Sequence, residues 1–256
     1  FDGHINIVTT LYLIRHGETE GGEVKRYKGT IDVPLSEKGM KQMERVSEYI
    51  LELFQNSSTF YGSKRSNPAA TSVIPTNPPF PHSGGFAEAK EKGGGGNLKE
   101  GGLLKAVYCS DLKRAIKSAE LIASPHSLNP IISPSLRERN FGIWEGMSFD
   151  EIREKYPGEF ESWAGNPLKY SPMGGESTLE VRERVINAFE NIIGNHNEER
   201  IAIVAHGGVN RIVLCHILGI PLENIFRIEQ DYGALNIIEF WDKYPVVKLI
   251  NGITNG

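Results

Sequence analysis

The sequence predicts an α/β fold, a three-layer α/β/α sandwich with a mostly parallel central sheet. Three observations predict it. Two short apolar runs, residues 9–14 and 201–204, lead into a histidine followed by glycine. Segments with apolar residues at helical spacing alternate with these runs along the chain. The second run is almost wholly apolar, which is typical of a strand buried at the centre of a parallel sheet.

The first strand is predicted at residues 9–14, which end at a glycine-containing turn. A helix is expected from about Glu37 to Phe54, with Ser36 in the N-cap position. Its apolar residues should face the core and are Met40, Met43, Val46, Ile50 and Leu53.

Residues 57–103 differ in composition from the rest of the chain, with nine glycines and five prolines. Such a segment buries too little apolar surface to offset the entropy of ordering it. We interpret it as a Gly/Pro-rich insertion within a single domain that spans residues 1–256. A tolerated surface loop is the favoured interpretation. A lid over the site, from which Arg65 could reach an anion, is the alternative.

A second strand is predicted at residues 105–109 and a second helix at residues 112–123, capped by Ser110 or Asp111. Arg114 falls in the first turn of this helix, where a cation opposes the helix dipole. A bound anion would make the placement favourable, and a solvent-facing arginine is the alternative.

A short third strand is predicted at residues 130–132. The segment after it mixes charged residues with Phe141 and Trp144, a pattern that favours a pocket wall over a regular element. Residues 149–163 should form short helices that are interrupted at Pro157.

The last third of the chain returns to regular elements. A capping box at residues 177–180 opens a helix. The buried strand at 200–205 is followed by a helix that should end at Gly219. Two closing strands, residues 234–241 and 246–250, are predicted at the edge of the sheet.

The amino-acid composition limits the kinds of partner that the protein can be expected to bind. The 256 residues are 39% hydrophobic and 23% charged, which allows a sizeable core. The formal net charge of −4 gives no basic stripe, so we expect no nucleic-acid partner. No run of about 18 apolar residues occurs, so we expect no membrane span and no membrane partner.

The two cysteines, Cys109 and Cys215, lie in apolar runs and are predicted to be reduced core residues. The first residues, Phe1 to His4, lack the basic and apolar regions of a secretion signal. We therefore expect a cytoplasmic protein. No Cys/His cluster has zinc-ligand spacing, so no metal site is predicted.

Two histidines and two arginines could meet at one edge of the sheet. His16 and His206 follow strand ends, Arg15 precedes His16, and Arg114 opens a helix. Guanidinium groups match the oxygens of a phosphoryl group, and a neutral imidazole is a competent nucleophile. Each residue alone also has an ordinary interpretation, a surface loop for Arg15 and His16 or a satisfied core histidine for His206.

Six short motifs follow one another along the chain in the order in which a known protein family has them. They lie at residues 15–19, 29–35, 110–115, 136–138 with 142–146, 175–177, and 205–208. In these motifs the sequence resembles the histidine phosphatase superfamily, also called phosphoglycerate mutase-like, over about residues 8–241. The resemblance implies that family's fold and a metal-independent phosphomonoesterase that needs no cofactor.

The resemblance also implies a catalytic role for three residues. His16 resembles the nucleophile that becomes phosphohistidine, and His206 resembles its partner in the pocket. Glu138 resembles the acid that protonates the leaving oxygen and then activates water. An ion pair of Glu138 with Arg137 or Arg139 is the alternative.

The same resemblance places Arg15, Arg114 and Thr19 around the substrate phosphate. Gly22 stands where many members of the family have Asn. Either a backbone N–H substitutes there, or a phosphate contact is missing. Ser118 replaces the family's usual Thr.

Within the family, the pattern is most similar to α-ribazole phosphatase of cobalamin biosynthesis. Residues 27–29, 141–146 and 230–236 carry this similarity. Phe141 and Trp144 offer aromatic surface that would suit a nucleoside-like leaving group, whereas Trp163 could equally be core.

The expected partner is a small phosphorylated substrate, α-ribazole 5′-phosphate. The alternatives are a phosphoglycerate mutase, a broad-specificity phosphatase of the same family, and a non-enzymatic phosphate binder. For the oligomeric state, a homodimer is one alternative.

Overall fold

A computed structural model describes residues 8–21, 26–60, 103–241 and 244–253. Most of the predicted insertion, with Arg65, lies outside the described residues, and so does Gly22. The predictions that fall on these positions are therefore not addressed by the structure.

The strands are β1 (Thr9–Arg15), β2 (Ala106–Cys109), β3 (Ile131–Ile132), β4 (Arg200–Ala205), β5 (Leu235–Trp241) and β6 (Tyr244–Gly252). Within the described residues they form one sheet, ordered β3-β2-β4-β1-β5-β6. Neighbours among β1 to β4 are parallel, whereas β5 pairs antiparallel with both β1 and β6. The sheet is thus mixed, with a parallel half that ends in the predicted site.

The helices are α1 (Glu37–Phe60), α2 (Lys113–Ala123), α3 (Phe149–Lys155), α4 (Pro157–Gly165), α5 (Thr178–Gly194) and α6 (Gly207–Leu218). Side chains alternate along β1 and enter two separate cores. Tyr12 and Ile14 pack with α1 and α2, whereas Leu11 and Leu13 pack with α5 and α6. The predicted three-layer sandwich is confirmed.

Two helix boundaries follow the predicted chemistry. The Ser177 hydroxyl accepts the Glu180 N–H, and the Glu180 carboxylate accepts the Ser177 N–H, which completes the capping box of α5. Helix α6 ends at Leu218, and its C-cap residue Gly219 has a φ of 64°, in the left-handed region that glycine adopts without strain.

Helix α1 is longer than predicted, because it continues from Phe54 to Phe60. The sequence has no glycine or proline between these residues to stop it, and the composition of the later insertion obscured this. The prediction that β5 is an edge strand is also wrong. The hairpin with β6 places β5 inside the sheet and β6 at its edge.

The predicted cap of α2 is wrong as well. Leu112 occupies the N-cap position without a side-chain cap bond, and the N–H of Lys113 donates to Asp32 Oδ1 at 2.7 Å. Ser110 and Asp111 instead bond His206 and Arg137. Both residues are therefore recruited by tertiary partners that local sequence does not reveal.

Cys109 and Cys215 are buried free thiols in the cores on opposite faces of the sheet, in agreement with the prediction. Among the described helices, none has the length and apolar character needed to cross a membrane.

Candidate active site

The two predicted histidines lie side by side because their strands are neighbours. In the parallel pair of β1 and β4, Arg15 is opposite Ala205, so His16 and His206 leave the sheet at the same level. Their ring centroids are 5.0 Å apart, and both side chains are buried. The sheet order thus produces the convergence that the sequence predicted.

The protonation state of His16 follows from one hydrogen bond. Its Nδ1 lies 2.7 Å from the Gly17 carbonyl oxygen, which can only accept, so Nδ1 carries the proton. Burial lowers the pKa of His16 well below its usual value, and the positive charges of Arg114 and Arg15 lower it further. His16 is therefore neutral near pH 7, with the Nε2 lone pair free to act as a nucleophile.

His206 is held from the end of β2. Its Nε2 is 2.6 Å from the hydroxyl of Ser110, while Nδ1 is buried and has no partner among the described residues. Burial, followed by His16 and Arg114, lowers the pKa of His206 well below its usual value. Nδ1 is thus the ring atom without a partner in the described part of the chain, and His206, although it lies beside His16, does not line the cavity that contains His16.

Arg114 is 2% exposed, which rules out the solvent-facing alternative. Its guanidinium donates to the carbonyl oxygens of Ile31 (2.7 Å) and Gly29 (2.6 Å). The Ser118 hydroxyl donates to the Arg114 carbonyl and accepts the Gly17 N–H, which ties α2 to the loop after β1. Arg114 and the loop that carries His16 are thereby fixed relative to each other.

Arg15 donates to the Gln230 carbonyl (2.5 Å) and lies 3.9 Å from the centre of the Tyr232 ring. Its Nε is buried without a partner among the described residues. Burial lowers the pKa of both Arg15 and Arg114, which shows the cost of holding two cations out of water. A bound anion would offset that cost.

Thr19 is 1% exposed, and its hydroxyl accepts a hydrogen bond from Lys28 Nζ at 2.5 Å. Lys28 also donates to the Glu20 carbonyl (2.7 Å) and is close enough to His16 to lower the histidine's pKa. Sequence reasoning did not assign Lys28 to the site. Its position in the 27–29 motif was the available signal.

Glu138 does not form the ion pair that was the alternative. Arg137 pairs with Asp111, and the Arg139 guanidinium donates to the backbone carbonyl oxygens of Glu176 and Tyr170 and to the Thr178 hydroxyl. The carboxylate oxygens of Glu138 instead accept the backbone N–H groups of Arg139 (2.9 Å) and Gly208 (3.1 Å). The second bond places Glu138 at the start of α6.

One cavity of about 640 Å³ contains Arg15, His16, Thr19, Arg114 and Glu138 at one end. Much of the remaining wall is aromatic and consists of Tyr27, Phe141, Trp144, Phe149, Trp163 and Phe226. Trp163 therefore contributes to the cavity, packed edge-to-face with Trp144. The arrangement combines a cationic pocket, a neutral nucleophile and a carboxylate with space for a bulky group.

The buried histidines should make stability depend on pH. Below about pH 6.5 the unfolded chain binds protons on His16 and His206 that the folded chain does not bind. The free energy of unfolding should thus fall as pH falls through that range, by up to about 1.4 kcal/mol per pH unit for each histidine. Urea unfolding at several pH values measures this slope. A His16→Gln/His206→Gln variant with the wild-type slope would contradict the prediction.

The chain matches the family model "Histidine phosphatase superfamily (branch 1)" over residues 11–65 and 92–252. The unmatched residues 66–91 fall within the predicted insertion. The resemblance recognised in the sequence is confirmed by this match.

Several characterised proteins are similar along most of the chain. Phosphoserine phosphatase 1 of Hydrogenobacter thermophilus is 26% identical over 241 residues, covering 94% of this chain and 91% of the relative. The metal-independent phosphoserine phosphatase of Arabidopsis thaliana is 30% identical over 213 residues, 82% of this chain and 69% of the relative. The adenosylcobalamin/alpha-ribazole phosphatase of Escherichia coli K12 is 23% identical, covering 94% and 95%.

Solved structures share the fold. The crystal structure of the alpha-ribazole phosphatase from Shigella flexneri superposes with a TM-score of 0.69 at 22% identity, covering 95% of this chain and 96% of that chain. A structure of Bacillus stearothermophilus YhfR gives a TM-score of 0.68 at 27% identity, covering 96% and 98%.

Proposed function

Because the chain belongs to branch 1 of the histidine phosphatase superfamily and is a phosphoric monoester hydrolase, we propose that it acts through a phosphohistidine on His16. One observation carries the proposal. The neutral His16, with Nε2 free, lies beside two buried arginines in the cavity that also contains Glu138. A nucleophile, an anion pocket and an acid are the parts that metal-independent phosphoryl transfer requires.

In the first step, the Nε2 lone pair of His16 attacks phosphorus, and the bond from phosphorus to the leaving oxygen breaks. The acid role requires that Glu138 carry a proton when the substrate is bound, and Glu138 gives this proton to the leaving oxygen. Arg15 and Arg114 offset the charge on the phosphoryl oxygens, and His206, whose ring lies 5.0 Å from that of His16, adds a polar group beside the nucleophile. The products are the free alcohol and phosphohistidine.

In the second step, water attacks phosphorus and the nitrogen–phosphorus bond breaks. The electron pair returns to His16 Nε2, and Glu138, now a carboxylate, takes a proton from the water. Inorganic phosphate leaves. The two steps restore His16 to its neutral form and Glu138 to its protonated form.

For the substrate, the proposal is a phosphate ester with a bulky, aromatic leaving group, and α-ribazole 5′-phosphate is the candidate. The aromatic wall of the cavity supports it, because a flat ring stacked on such a side chain gains about 1–3 kcal/mol. The E. coli relative named adenosylcobalamin/alpha-ribazole phosphatase gives additional support. A place in cobalamin biosynthesis is part of this proposal.

A second candidate is phosphoserine. Two relatives, at 26% and 30% identity, are named phosphoserine phosphatases. Phosphoserine is small, and the aromatic wall would then be left without a function. The remaining alternative is a phosphoglycerate mutase, which would transfer the phosphoryl group back to its product. Release of inorganic phosphate without mutase turnover would exclude this alternative.

The substrate proposal is tested by comparing kcat/KM for α-ribazole 5′-phosphate, phosphoserine and 3-phosphoglycerate. We expect α-ribazole 5′-phosphate to be preferred by about 5- to 150-fold, since stacking of about 1–3 kcal/mol corresponds to that range. Trp163→Ala should raise KM for this substrate and leave phosphoserine nearly unaffected. Trp241→Ala, at the end of β5, is the control. Preference for phosphoserine would replace the first candidate by the second.

A further inference from the structure

Glu138 lies on residues 133–141, a segment whose only regular element is a short 3-10 turn at Pro134–Leu136. We propose that the ion pair between Glu176 and Arg184 is a clamp that positions Glu138 for proton transfer. The inference rests on the acid–base role proposed for Glu138. Neither Glu176 nor Arg184 lines the cavity, so both would act as positioning residues.

Arg184 binds the segment from the side of α5. One of its terminal nitrogens donates to the carbonyl oxygens of Ser135 (2.9 Å) and Arg137 (2.7 Å), and the other donates to that of Glu138 (3.2 Å). Carbonyl oxygens in an irregular segment lack the N–H donors that a strand or helix provides, so those removed from water need other hydrogen-bond donors. A single guanidinium supplies them for the residues that lead into Glu138.

Glu176 binds the same segment on the other side of Glu138. Its carboxylate accepts two hydrogen bonds from Arg184 (2.7 and 2.8 Å) and one from the backbone N–H of Asn140 (2.9 Å). Burial alone would raise the pKa of Glu176, but the bonds from Arg184 and Asn140 keep it below its usual value. The pair is therefore ionised near pH 7 and grips the backbone before and after Glu138.

The position of Glu138 has little tolerance. A Cβ built on Gly208 would lie 2.5 Å from Glu138 Oε1, so the carboxylate packs directly against the start of α6. A shift of the segment would move the acid out of line with the leaving oxygen, and a misplacement of about 1 Å costs about a hundredfold in rate. The clamp prevents that shift.

The test uses Arg184→Lys and Glu176→Gln with two substrates of different leaving group. For an alkyl phosphate, which needs protonation of its leaving oxygen, kcat should fall by about 10- to 100-fold. For 4-nitrophenyl phosphate, which leaves as a stable phenolate, the rate of the first step in single-turnover experiments should change by less than about threefold. Arg182→Lys, an exposed neighbour on α5, should alter neither rate.

A double-mutant cycle completes the test. If the clamp acts through Glu138, then Arg184→Lys added to Glu138→Gln should cause no further loss on the alkyl phosphate. Equal losses on both substrates, or additive losses in the double variant, would show a general structural role and overturn the clamp. If Glu138→Gln itself lowers the rates on both substrates equally, the acid role proposed for Glu138 is wrong, and the clamp proposal fails with it. Circular dichroism shows whether each variant is folded. If Arg184→Lys does not fold, the same comparisons are made with Glu176→Gln.

Discussion

Replacing His16 with alanine should lower kcat for an aryl phosphate by about 10⁴-fold or more, as expected when a covalent nucleophile is removed. The Nε2 of His16 is the free imidazole nitrogen at the cationic end of the cavity. His206 is not expected to replace it, because its Nε2 is bonded to Ser110, its Nδ1 is buried and the residue does not line the cavity. The remaining arginines would still bind phosphate, so the loss should appear in kcat more than in KM.

Two measurements check this result. Steady-state hydrolysis of 4-nitrophenyl phosphate gives the rate, and rapid quenching detects an acid-labile phosphoenzyme in the wild type but not in His16→Ala. The matched control is His126→Ala, which removes another buried histidine that accepts the Leu104 N–H away from the cavity. Undiminished turnover by His16→Ala would refute the nucleophile assignment.

The convergence of the two histidines was predictable from the sequence. An apolar run before His16 and another before His206 identify two strands, and parallel strands present their carboxyl ends at one edge. The structure places β1 and β4 next to each other, so the histidines that follow these two strands meet as predicted. For Arg114 the helix-dipole pattern left two alternatives, a bound anion and a solvent-facing side chain, and only the burial of its side chain in the structure excludes the second.

Other features of the site depend on pairings that the sequence pattern does not contain. Tyr232 packs on Arg15 because β5 runs antiparallel beside β1, and the Arg15 N–H donates to the Ala234 carbonyl at the start of that pairing. Hydrophobic alternation identifies β5 as a strand but not its neighbour. Ser110 was interpreted as a helix cap because local hydrogen bonding was the only partner visible in sequence. Its bond to His206 spans almost a hundred residues.

Glu138→Gln should give the opposite signature from His16→Ala. On an alkyl phosphate, kcat should fall by about 10²- to 10⁴-fold, the range for loss of a general acid. On 4-nitrophenyl phosphate the first step needs no acid and should survive. The second step, in which the carboxylate activates water, should become slow. Phosphohistidine should therefore accumulate, with a burst of nitrophenolate that approaches one equivalent per site.

Rapid-quench measurement of the burst and of the trapped phosphoenzyme tests this expectation, with the exposed Glu161→Gln on α4 as the control. The two variants separate the roles because they fail at different steps. His16→Ala cannot form the intermediate, whereas Glu138→Gln forms it and cannot release it. The backbone N–H groups of Arg139 and Gly208 each bond one carboxylate oxygen. Glutamine keeps one of these bonds through its amide oxygen and loses the other, because its NH2 group cannot accept, and it cannot transfer a proton. A uniform loss on both substrates, with no burst, would assign Glu138 to structure rather than to chemistry.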